Sequence, residues 1–260
     1  MDTGPINPRA TPAGAAPLPP PVVVQLVSTG DHPCPYLPGR IATNRAFLAE
    51  RIHPEIYHAF MDAGFRRSGK FVYQPACSGC RACVPIRVPV ATFTPSKSQR
   101  RCARRNADLT VDVAPAEATD EKFDLYRRYT NDRHRGEEPD RASFETFLYD
   151  SPVDSLEFTY RDRGGRLLGV GICDVSARSL SSVYFYFDPA DERRGLGTFG
   201  VIEEIGFARR VGIPHYYLGY WVEGCGSMRY KAEFRPFELL QPDGSWKPGK
   251  TLQAPGSSGT

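Results

Sequence analysis

Between Leu156 and Leu218 the residues follow a fixed order of elements, and that order constrains the fold more than any other feature. Leu156 to Tyr160 and Leu167 to Val175 are apolar runs on either side of Asp162-Arg163-Gly164-Gly165, a hairpin turn signal. Ser182-Val183-Tyr184-Phe185-Tyr186-Phe187 makes a further strand, and the chain then turns at Pro189. Glu192-Arg193-Arg194-Gly195-Leu196-Gly197 leads into a helix over Thr198 to Arg210, followed by a strand over His215 to Leu218. Ahead of this run, Phe123, Leu125, Tyr126 and Tyr129 predict an amphipathic helix from Thr119, and Phe144, Phe147 and Leu148 predict a second. A helix near Ser227 to Glu233 and a strand over Phe237 to Leu240 come after it. The expected class is α+β.

An earlier unit precedes this one. Asn44 caps a predicted helix through Glu50, and Pro54 opens another that carries Ile56, Tyr57, Phe60 and Met61 and stops at Gly64. Lys70 to Tyr73, Val84 to Val90 and Leu109 to Val113 read as strands. The expected division is 1–21 as a disordered tail, 22–115 as a cysteine- and arginine-rich domain, 116–240 as a second domain and 241–260 as a disordered tail. Pro, Ala, Gly and Ser dominate both ends.

Between the second and third strands of the first unit lies its chemistry. Ser96 with Gln99 fits a capping box, so a helix starts there with Arg100/Arg104 and Arg101/Arg105 at i, i+4 spacing. Like charges that close repel, a cost that phosphates offset by displacing their condensed counterions. The alternative is an ordinary solvated basic face. Net charge is only +3 and the isoelectric point about 8.4. A nucleic-acid surface must therefore be a local patch, which favours RNA at one site over coating of DNA.

Cys34, Cys77, Cys80 and Cys83 offer four sulfurs for a zinc ion or an iron–sulfur cluster, with structural or redox-sensitive thiols as the alternative. Two C-x-x-C steps sharing Cys80 are not the separated pairs of a zinc ribbon. Seven cysteines are an odd number and the N-terminus lacks a secretory signal, so a disulfide framework is not expected and the compartment reads as cytoplasmic. No apolar run approaches the roughly 20 residues that span a bilayer, so no membrane role is expected.

The strand, basic glycine-containing loop and helix of the second unit are similar to the GNAT acyltransferase fold, in which such a loop holds a pyrophosphate on backbone N–H groups. That family has Gln or Arg where this chain has Glu192, which argues against ordinary acetyl-CoA and for another phosphorylated acyl donor. Six blocks then occur in order: Cys34-Pro35-Tyr36-Leu37, Gly64 to Gly69, Pro85-Ile86-Arg87, Ser96 to Arg101, Ser182 to Pro189, and Tyr217-Leu218-Gly219-Tyr220-Trp221. Together they resemble the aminoacyl-tRNA–protein transferase family. The short length and Leu37, where the eukaryotic arginyl enzymes have a second cysteine, resemble its bacterial aspartate/glutamate leucyltransferases.

The resemblance implies two GNAT-like halves with mixed sheets flanked by helices. It also implies transfer of an amino acid, here leucine from leucyl-tRNA, to proteins beginning with Asp or Glu, marking them for N-degron proteolysis without a required cofactor. Tyr184, Tyr186 and Asp188 become the catalytic candidates, and Lys97, Arg100, Arg101, Arg104, Arg193, Arg194 and Lys231 the tRNA contacts. Arg40, Arg66 and Arg67 become the candidates for reading the acceptor carboxylate, because a guanidinium fork matches a carboxylate best. Arginine as the donor residue and a CoA-dependent N-acetyltransferase stand as alternatives, with a non-catalytic RNA-binding or redox-sensing module as a third.

Overall fold

The computed structural model describes residues 23–133, 138–176 and 178–249. Its first part contains β1 (Val27–Ser28), β2 (His32–Pro33), β3 (Ile41–Ala42), β4 (Asn44–Leu48), α1 (Pro54–Asp62), β5 (Arg66–Ser68), β6 (Phe71–Pro75) and β7 (Val84–Pro89). Next come α2 (Lys97–Arg105), β8 (Thr110–Pro115), α3 (Asp120–Arg133) and the short α4 (Arg141–Phe144), which runs into a π-helical turn over Glu145–Tyr149. The last part holds β9 (Ser155–Arg161), β10 (Leu167–Val175), β11 (Ser179–Phe187), α5 (Leu196–Arg210), β12 (His215–Trp221), α6 (Gly226–Arg229), β13 (Glu238–Leu240) and β14 (Trp246–Pro248).

These strands form an antiparallel four-stranded sheet in the order β1-β4-β6-β5, an eight-stranded sheet in the order β14-β13-β7-β12-β11-β10-β9-β8, and the small pair β2-β3. In the large sheet, among the described residues, the β11–β12 pair alone is parallel. Parallel neighbours need a crossover, and α5 supplies it. Its side chains Leu196, Phe199, Val201 and Ile205 join Phe158, Leu180 and Tyr216 in the main core, with Cys102 of α2 alongside. The opposite face of the sheet is covered by Leu125 and Tyr126 of α3 and by Phe144 and Leu148, packed on Val170, Ile172 and Tyr186. The architecture is the expected α+β arrangement of mixed sheets flanked by helices.

Three expectations change. Asn44 to Leu48 is a strand rather than a helix, because all five residues pair with β6, from Asn44 opposite Pro75 to Leu48 opposite Phe71. A potential cap does not outweigh that ladder. The expected boundary after residue 115 does not separate the sheets: β7 lies between β13 and β12, and β8 pairs with β9. Finally, 241–249 is ordered. Asp243 accepts from Ser245 in a turn, β14 pairs back on β13, and the Trp246 indole donates to the Asp62 carbonyl at 3.2 Å while lying under the Arg87 guanidinium. The expected tail 1–21 and residues 250–260 lie outside the described residues.

Candidate active site

The parallel pair opens into a wedge. β11 and β12 pair at Ser179–His215, Leu180–Tyr216 and Ser181–Tyr217, and no further. Beyond that point β11 stays paired with β10 as far as Phe187, and β12 stays paired with β7 as far as Trp221. The two inner edges are therefore held apart by their outer partners. The register of β12 shifts between Tyr217 and Gly219, and Gly219 has φ +84°, a left-handed conformation that favours glycine at a bulge.

Two cations fill the mouth of this wedge. Arg66 reaches in from β5, donating from Nη1 to the Ser181 hydroxyl at 2.6 Å and from Nη2 to the Ser182 carbonyl. Lys231, on the turn after α6, donates from Nζ to the Tyr220 carbonyl at 2.9 Å. A Cβ added at Gly219 would lie 3.5 Å from Arg66 Nε and 3.6 Å from Lys231 Nζ, so both groups flank one glycine. Each residue is only 9% exposed. Among the described residues neither meets a carboxylate. Burial, with Arg66 as the second cause, pulls the Lys231 amine down to about 7. Two buried cations without an anion are costly, and a ligand carboxylate or phosphate would relieve that cost.

A cavity of about 340 Å³ is lined by Tyr73, the register partner of Arg66, and by Tyr220, whose carbonyl accepts from Lys231, while the two cations themselves stand outside its lining. Its floor is one face of the four-stranded sheet, with Ala46, Ser68, Phe71 and Tyr73, and its roof is the segment containing Tyr36, Leu37 and Arg40. Tyr220 closes the inner end, its ring 6.4 Å from that of Tyr73. Arg66 sits opposite Tyr73 in the β5–β6 register, and its charge is felt by Tyr36, Tyr73 and Tyr220. Burial dominates at all three phenols and raises their pKa, so they remain protonated donors. No Asp or Glu lines the cavity among the described residues.

The sequence candidates divide sharply. Arg67, next to Arg66, points to the other face of β5 and forms a two-pronged ion pair with Asp174, both contacts at 2.7 Å and both side chains at most 1% exposed. It is occupied by a structural partner. Arg40 stands at the exposed rim of the cavity, donating to the Cys80 sulfur at 3.7 Å. Lys231, expected on a tRNA surface, is instead interior. Tyr186 is fully buried with its hydroxyl 3.1 Å from that of Tyr149, and Asp188 caps the turn Pro189–Arg194 through Ala190 N and faces Arg128 and Arg166. Tyr184 is half-buried against Tyr126, Tyr129 and Phe147, and its hydroxyl has no partner among the described residues.

The basic helix forms as expected. Ser96 Oγ accepts from Gln99 N at 3.3 Å while Gln99 Oε1 accepts from Ser96 N at 2.8 Å. Lys97, Arg100, Arg101 and Arg104 are exposed and form no ion pair among the described residues. Arg105 donates to the Arg193 carbonyl, which brings exposed Arg193 beside the same face. Arg194 is held by Asp108 at 2.9 and 3.0 Å and does not join it.

The four thiols do not converge on a metal. Cys34, Cys77, Cys80 and Cys83 all line the cavity, but Cys34 accepts from Leu37 N, Cys77 bonds the Thr43 backbone, and Cys80 accepts from Arg40. Burial and then the neighbouring sulfurs push the Cys83 thiol up to about 12, so it stands here as a neutral thiol. Among the described residues no group of three or more His, Cys, Asp or Glu is arranged for a metal ion. The zinc or iron–sulfur expectation therefore does not fit these residues.

Sequence reasoning missed Tyr36, Tyr73 and Tyr220 as site residues. Tyr36 and Tyr220 stood inside two of the ordered blocks, and that was the available signal.

The model for the N terminus of arginine-tRNA-protein transferase matches residues 32–101, and that for its C terminus matches residues 121–241. An aspartate/glutamate leucyltransferase of Stenotrophomonas maltophilia is 45% identical over 224 residues, covering 83% of this chain and 89% of that protein. One from Thiobacillus denitrificans is 42% identical over 228 residues, covering 86% and 94%. Among solved structures, a C-terminal domain of a putative lysylphosphatidylglycerol synthetase from Agrobacterium fabrum has a TM-score of 0.48 at 15% identity, covering 78% of this chain and 65% of that one, a likeness too weak to bear on function. With both halves of the family model matched in order, the chain belongs to the arginine-tRNA-protein transferase family.

Proposed function

We propose that this protein transfers leucine from leucyl-tRNA to the free α-amine of proteins that begin with Asp or Glu, and so marks them for degradation. The observation that carries the reading is the buried Arg66–Lys231 pair, two cations that among the described residues have no carboxylate of their own, behind the tyrosines of a cavity lined by no described acidic residue. An acidic first residue supplies the missing anion. The names of the relatives agree with it.

The reaction is aminolysis of an ester. The acceptor nitrogen forms a bond to the leucyl carbonyl carbon, the bond from that carbon to the ribose oxygen breaks, and one proton passes from nitrogen to that oxygen. An α-amine with a pKa of roughly 7.7 to 8.0 is partly neutral at cell pH, so little base strength is needed. Holding amine and ester together and stabilising the oxyanion matter more. In this reading Arg66 and Lys231 fix the acceptor, with Arg40 at the rim. Tyr184 is the remaining hydroxyl for the oxyanion or the leaving oxygen. Lys97, Arg100, Arg101, Arg104 and Arg193 form the phosphate-binding face. No step requires a cofactor or metal.

The test is transfer of labelled leucine from leucyl-tRNA to peptides beginning Asp, Glu, Asn or Ala, with arginyl-tRNA and acetyl-CoA as parallel donors. Label should reach the Asp and Glu peptides from leucyl-tRNA alone, and RNase treatment of the donor should abolish it. Transfer from acetyl-CoA, or equal transfer to Ala peptides, would contradict the proposal.

A further inference from the structure

The cavity has an apolar exit. Ile41, Leu48 and Phe71 are 61%, 59% and 54% exposed, unusually open for side chains of this size. Leu48 and Phe71 are direct partners in the β4–β6 ladder. The period of two places both on the face that carries Ala46 and Tyr73 in the cavity floor. Val27, opposite Ala46, is 53% exposed and extends the same surface. Ile41 and Phe71 also line the cavity itself. The apolar surface is therefore continuous with the cavity and leads from its tyrosine end to solvent.

Tyr73 and Phe71 are two positions apart on one strand, roughly 7 Å, which is about the length of two residues of extended peptide. A polypeptide whose first side chain lies near Tyr73 and which runs along β6 toward solvent crosses Phe71, Leu48 and Ile41. We infer that this apolar shelf is the subsite for the second and third residues of the acceptor polypeptide and that it prefers large apolar side chains there. The inference rests on the acceptor reading above and deepens it. Recognition then combines one buried charge contact at the first residue with hydrophobic burial at the next two.

Fluorescent peptides beginning with Asp and carrying Leu, Phe, Ser or Gly at positions two and three test this directly. Their binding to the full chain is followed by anisotropy, with leucine transfer measured in parallel. Apolar peptides should bind about five- to tenfold more tightly than the Ser and Gly peptides. Leu48→Ser and Phe71→Ser should each bring that ratio toward one, and thermal melts check that these exposed substitutions leave the fold in place. Equal affinity across the series, no binding of any Asp peptide, or a preference that survives both substitutions would overturn the shelf. An intact binding preference with no leucine transfer to any peptide would support the shelf and count against the leucyl donor, so the two failures are distinguishable.

Discussion

Replacing Lys231 by Met measures directly how strained its environment is. In the native state its amine is pulled from 10.5 to about 7, first by burial and then by Arg66. The unfolded chain therefore binds more protons than the folded one between about 7 and 10.5, and stability rises with pH across that window. At about 1.4 kcal/mol per pKa unit, the depressed amine costs the native state roughly 4 kcal/mol at pH 7 and roughly 2 kcal/mol at pH 9. Methionine carries no proton to lose, so the variant escapes this cost at both pH values. The hydrogen bond to the Tyr220 carbonyl is lost at every pH and cancels in the comparison. Urea unfolding of the native protein and of Lys231→Met at pH 7 and pH 9 should show the native protein gaining about 2 kcal/mol on the variant as pH rises. Curves for the two proteins that shift in parallel would refute the placement of Lys231 as a buried, anion-deprived cation.

Other outcomes follow from the same geometry. Arg67→Ala leaves Asp174 buried beside Tyr57 and Ser155 without its cation, and should lower unfolding stability by about 3–5 kcal/mol in denaturant titrations. Arg100→Ala with Arg101→Ala should weaken tRNA binding and reduce the slope of log affinity against log salt by about 2, read by filter binding, while the melting temperature is unchanged. Tyr184→Phe should lower kcat with little change in KM for the peptide in steady-state transfer assays, since its hydroxyl acts only as charge develops.

The α+β order and the capped basic helix were legible in the sequence because both depend on local signals. Ser96 and Gln99 settle their helix start within four residues, and Pro54 and Gly64 bracket α1 the same way. What could not be read depends on partners far along the chain. Arg66 and Arg67 are equivalent as neighbours in a block, and only the pairing of β5 with β6 decides that one faces the wedge and the other faces Asp174. Lys231 reads as a surface lysine until the turn after α6 tucks it under Tyr220. The cysteine spacing was visible, but the direction of each sulfur is set by the Thr43 and Leu37 backbone and by Arg40. Asn44 to Leu48 reads as helix on its own and becomes a strand through its ladder with β6.

The most direct measurement of the central claim is the ratio of kcat/KM for an Asp peptide over its Asn counterpart, in the native enzyme and in Arg66→Met. A ratio compares two substrates on the same enzyme, so a reduced fraction of folded protein does not affect it. Pairing a buried guanidinium with the acceptor carboxylate should give the native enzyme a preference of about 100-fold or more for Asp, which falls toward one in the variant. An Arg66→Met enzyme that still favours Asp over Asn to the native extent would show that the acceptor carboxylate is read elsewhere.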